Sequence, residues 1–226
     1  MDVSVGYWTY YLAWFALAYA IRYPWLALGA LVFFLLRKVV PDPFVLLRTA
    51  GRIGALRRQI EANPANVTAR RDLAMILVER LRPRAALPLL VEARERDPNN
   101  AELAYLLGLA RFRSGDAEGA LAPLVEAVEL DPRVRFGEPY LCAALALVRL
   151  GRLEEAEDAF ERYVDSNSSS VEGHVRLAVV RSHRDDKEGA KKALAEALET
   201  WRQIPPYQRR KQLRWWFRAQ FARLAI

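Results

Sequence analysis

From Leu103 to Val128 the apolar positions recur at the three-and-four spacing of a helix, first as Leu103, Leu106, Leu107 and Ala110, then as Ala117, Leu121, Leu124 and Val128. Ser114-Gly115-Asp116 separates the two series, so the stretch reads as two amphipathic helices joined by a short turn. The same pattern recurs along the chain. Asn63-Pro64, Asp97-Pro98 and Asp131-Pro132 set prolines 34 residues apart twice in succession. Aligned on that interval, Ala86, Ala120, Ala156 and Ala190 share a column at steps of 34, 36 and 34, and the two extra residues fall around Arg135-Phe136, in a connection. Ala74, Gly108, Ala144 and Ala178 share another column. Small side chains at both levels imply that the two antiparallel helices of each unit approach closely there. Leu73, Leu107, Ala143 and Leu177, with Leu90, Leu124, Phe160 and Leu194, fill the space beside them, and Ala93, Ala127, Tyr163 and Ala197 complete the second helix's inner face.

With small residues at the eighth and twentieth places of a 34-residue period and proline at the thirty-second, the chain resembles the tetratricopeptide repeat family. The resemblance covers residues 67–200 as units at 67–100, 101–134, 137–170 and 171–204, after a basic helix at 41–66 that looks like part of an earlier unit. Two departures stand out: Arg70, Ala104, Tyr140 and His174 occupy the family's tryptophan place, and Ser168 replaces the third unit's proline. The resemblance implies an all-α solenoid of about four helix pairs with a cap helix, and no catalytic site. It also implies a groove lined from the first helices. Its fifth place holds Arg71, Tyr105, Leu141 and Val175, its ninth Met75, Leu109, Leu145 and Val179, and its twelfth Val78, Phe112, Val148 and Ser182. The lysines and asparagines with which one subclass grips a partner's C-terminal carboxylate are absent, so the expected ligand is an amphipathic helix or apolar segment. Tyr105, Leu109, Phe112, Leu141 and Leu145 are its anchors, with Arg113 and Arg149 at the rim. Ordinary packing between units is the competing account of these residues.

Upstream the pattern changes. Val3 to Ile21 is free of charge over 19 residues, which as a helix spans about 28 Å, close to the ~30 Å hydrocarbon core of a bilayer. A second apolar run, Trp25 to Leu36, follows Arg22-Tyr23-Pro24 and is flanked by Arg37 and Lys38. Residues 1–40 are therefore expected to form a transmembrane hairpin, or one spanning helix with the second run in the interface. Arg37, Lys38, Arg48, Arg52, Arg57 and Arg58 all follow the second run, which places the repeats on the cytoplasmic side. Ala18-Tyr19-Ala20 resembles a leader cleavage site, but the start lacks a basic side chain, the first run is long, and a second follows it. With 29 Arg against 5 Lys the composition suggests a GC-rich bacterial genome, hence an inner membrane.

Charge is partitioned too: residues 1–64 carry +4, residues 65–200 carry −4 and residues 201–226 carry +7, with no acidic side chain in the last stretch. An acidic centre argues against nucleic acid as a partner. After Ile204-Pro205-Pro206 a further basic amphipathic helix is expected over 205–226. Its apolar stripe, Leu213, Trp216, Phe217, Phe221 and Leu224, is read as capping the last unit. Arg209, Arg210, Lys211, Arg214, Trp215 and Arg218 are candidates for contact with a membrane surface or an acidic partner. Cys142 is the only cysteine and His174 and His183 are the only histidines, so no cofactor, metal or disulfide is expected. The sequence thus points to a membrane-held adaptor or scaffold that binds protein and touches lipid. The alternative is a permanent subunit of a membrane complex, its hairpin packed on partner helices.

Overall fold

A computed structural model describes residues 43–225 and, before them, Trp14, Arg22, Tyr23, Trp25, Leu28 and Gly29. The chain divides into two compact units, residues 1–48 and 49–226. In the first, Trp14, Arg22, Trp25, Leu28 and Gly29 are helical, and the rings of Tyr23 and Trp25 meet edge to face at 6.2 Å. Apart from Trp14 in the first run and Trp25, Leu28 and Gly29 in the second, both runs expected to cross a membrane fall outside the described residues. Among the described residues no helix is long and apolar enough to cross one.

From Pro43 onward the described chain is all helical: α1 (Pro43–Ala62), α2 (Val67–Glu79), α3 (Pro83–Arg96), α4 (Ala101–Ser114), α5 (Ala117–Leu130), a 3-10 turn (Val134–Gly137), α6 (Glu138–Arg149), α7 (Leu153–Ser166), α8 (Val171–His183), α9 (Lys187–Gln203) and α10 (Pro206–Ala225). Five helix starts carry a side-chain cap. Asn66, Asn100, Asp116, Ser170 and Asp186 each accept a backbone N–H from the first turn that follows, a donor with no partner inside the helix.

From α2 to α10 each helix packs against the next, and α2 to α9 form four antiparallel pairs stacked into a solenoid. First helices also meet across pairs, α2 with α4 and α4 with α6. The small columns explain the closeness. Ala86, Ala120, Ala156 and Ala190 are fully buried, as are Ala74, Ala144 and Ala178, and Leu90, Leu124, Phe160 and Leu194 are at most 2% exposed. Two cores share α6: Cys142 belongs to the first, with Leu56 of α1, while Ala144 and Leu147 belong to the second.

At two of the four places where the family's tryptophan is missing, a polar side chain is directed at the second helix of the pair. Arg70 is buried and its Nε donates to Glu92 of α3 at 3.0 Å; His174 Nδ1 lies 3.5 Å from Glu196 of α9, at the corresponding places of the fourth pair. Between the second and third pairs Arg135, Phe136 and Gly137 take left-handed backbone in succession, with φ of 49°, 56° and 76°. The two extra residues are absorbed in that turn, and they leave Phe136 80% exposed.

Candidate functional site

The expected groove residues lie on α4 and α6, but the structure gives them different tasks. Tyr105 is 5% exposed and its hydroxyl donates to Glu138 at 2.8 Å. Burial, followed by the Glu138 charge, pushes its pKa up. Arg135 lies 5.7 Å from the Tyr105 ring centroid and reaches Glu138 at 3.1 Å and Glu102 at 3.4 Å, and Glu102 in turn accepts from Arg71 at 3.1 Å. A chain of paired charges therefore crosses from the first to the third helix pair. Tyr105, expected as an apolar anchor, is part of that brace.

Arg113 and Arg149 act as links between pairs. Arg113 Nη1 donates to the Val78 carbonyl at 3.3 Å and Arg149 Nη1 to the Phe112 carbonyl at 3.2 Å. Val78 and Phe112 hold the same place at the C-terminal ends of α2 and α4, where carbonyls lack partners inside the helix and the helix dipole is negative. Arg149 also stacks on Phe112 at 4.5 Å. Recurrence of arginine at one repeat place was the only sign of this in the sequence, and it was legible as a rim charge alone.

Leu109 and Phe112 are partly buried against the first core, Leu141 and Leu145 against the second. Of the seven expected groove residues Leu145 is the one that lines the cavity beside α10, a space of about 380 Å³ that it shares with Val148, Val175, Val179, Trp215 and Ala222. Val148 and Val179 are 39% and 42% exposed, so the walls are apolar and accessible. Both valines stood in the repeat columns. What the columns could not show is that α10 folds over this end and closes one side of the cavity.

Helix α10 packs on α8 and α9, and of the expected stripe Trp216 takes part, stacked on Trp201 of α9 at 5.7 Å, while the buried side chains lie on a neighbouring face. Trp215 and Ala219 are buried in the second core, and Trp215 sits among Arg176, Arg218 and Arg214 at 4.5, 4.6 and 5.3 Å. Gln212 accepts the Val171 N–H at 2.6 Å and donates to the Ser169 carbonyl at 2.9 Å, capping α8 from outside. Trp215 therefore faces the repeats, and Arg209 folds back on the carbonyls of Ile204 and Arg202. Leu213, Phe217 and Phe221, expected to cover the last pair, are 44%, 48% and 70% exposed. The reason is geometric: Trp215, Ala219 and Ala222 recur at helix spacing on one face, and the single large ring among small residues is what the gap beside α8 admits.

Among the described residues no three His, Cys, Asp or Glu side chains are placed to hold a metal ion. The family model described as tetratricopeptide repeat matches residues 71–134 and 143–207, more than half of the chain. Curated protein sequences yield no match. A crystal structure of MamA is similar at 23% identity and a TM-score of 0.63, over 68% of this chain and 91% of that one. MamA 41-end from Desulfovibrio magneticus RS-1 aligns at 17% identity and 0.62, over 72% and 98%. YrrB, described as a TPR protein with an unusual peptide-binding site, aligns at 20% identity and 0.57, over 72% and 87%. At these identities the likeness concerns the fold alone.

Proposed function

The chain belongs to the tetratricopeptide repeat family, and from that premise we propose that it is a non-catalytic adaptor, held at a membrane by residues 1–40, that takes an apolar segment of a protein partner. The observation that carries the reading is the open cavity between α6, α8 and α10, where Leu145, Val148, Val175 and Val179 offer aliphatic walls. Apolar side chains of an extended or helical segment fill such a site by burial. Arg218, which lines the same cavity, adds a cation for an acidic flank. The uncharged run from Val3 to Ile21 supports the tether, and the basic residues after the second run support cytoplasmic repeats.

A photocrosslinker at Val179 in the full chain, in intact membranes, should capture the protein that copurifies with it in mild detergent. Val148→Gln with Val179→Gln should abolish both capture and copurification while leaving the far-UV circular dichroism unchanged. Copurification that survives both substitutions would reject the cavity as the docking site. A stoichiometric complex resistant to high salt would favour the alternative, a permanent subunit of a membrane assembly.

A further inference from the structure

A helix that merely capped the solenoid would bury one face and offer water a polar one. Helix α10 does not. Opposite the packed Trp215 and Ala219 it exposes Leu213, Phe217 and Phe221, three bulky side chains four residues apart that run along the helix as one stripe. Arg210 and Arg214 project beside that stripe, and Lys211 and Arg218 flank it toward the packed face; all four are exposed. Arg210 and Lys211 meet no carboxylate among the described residues, and Arg214 reaches only Glu172, at 4.0 Å. Residues 201–226 contain seven basic side chains and no acidic one.

We propose that this outward face of α10 lies on an anionic bilayer surface, with Leu213, Phe217 and Phe221 entering the headgroup boundary and Arg210 and Arg214 meeting lipid phosphates. Charge selects the occupant. An apolar stripe alone would suit any greasy surface, but guanidiniums interleaved with aromatic rings, with Glu172 the one carboxylate near them among the described residues, suit a sheet of phosphates over hydrocarbon. The packed face already has its partners, since Gln212 and Trp215 are committed to α8. Surface contact therefore needs no unfolding of the cap. The inference deepens the membrane reading above by giving the repeat domain its own contact with lipid.

The test uses the full chain with Cys142→Ala and one added cysteine, Phe221→Cys, carrying an environment-sensitive fluorophore, reconstituted into vesicles of phosphatidylglycerol with phosphatidylcholine or of phosphatidylcholine alone. Flotation reports the tether, and the label reports α10. On anionic vesicles the emission should shift to the blue and be quenched by nitroxide lipids. On neutral vesicles, or in high salt, it should remain that of a water-exposed dye, as should a label at Phe136→Cys throughout. Arg210→Glu with Arg214→Glu should remove the shift and leave flotation intact. A chain that floats with both lipids while residue 221 stays water-exposed on each overturns the inference alone, leaving the face to an acidic protein. A chain that floats with neither overturns the tether as well.

Discussion

Gly108 sits in the middle of α4, where exchange for alanine ordinarily stabilises a helix by about 0.8–1.0 kcal/mol. Here the added methyl would stand 2.5 Å from Leu124 Cγ, 2.8 Å from its Cδ2 and 3.1 Å from the Ala120 carbonyl oxygen. Such contacts push α5 outward or drive Leu124 off its rotamer, and overpacking of that kind costs about 1–3 kcal/mol. Packing outweighs propensity, so Gly108→Ala should lose up to about 2 kcal/mol net. Leu124→Ala alone should cost about 2–5 kcal/mol by leaving a cavity. In the double variant the methyl enters space that Leu124 has vacated, and the combined loss should fall short of the sum by about 1–3 kcal/mol. Urea denaturation of all four chains, followed by far-UV circular dichroism, measures the cycle. If Gly108→Ala gains the stability its helix propensity alone confers and the two changes simply add, the close approach of α4 and α5 is refuted.

His174 is held below its ordinary pKa of 6.5, chiefly by burial and against the pull of Glu196. The unfolded chain then takes up a proton that the folded chain resists, so stability is level above about pH 6.5 and falls as pH drops through it. His174→Gln should flatten that fall, read as the melting temperature at stepped pH. For Cys142, burial pushes the thiol up to about 12. A thiolate-seeking reagent at neutral pH should therefore find no reactive thiol in the folded chain and one after denaturation, and rapid labelling of the native chain would contradict its placement in the core.

Much of the fold was legible because it is local and periodic. A 34-residue interval, small residues in two columns and bulky ones beside them require helix pairs of one kind, since only small side chains permit that approach. The same logic located the extra residues at Arg135-Phe136, where the backbone turns left-handed. The candidate site was less legible. Tyr105, Arg113 and Arg149 occupy places where a groove is expected, and the sequence cannot say whether such a side chain awaits a ligand or is already bonded. In the structure they bond to Glu138, Val78 and Phe112, each 33 to 37 residues away along the chain. The C-terminal helix shows the same division. Composition determined that it would be basic and amphipathic, but several apolar faces were available, including one through Leu213 and Phe217 and one through Trp215 and Ala219. Tertiary structure chose between them, because the space beside α8 accepts one ring and a run of small side chains, and that choice turned the other face outward.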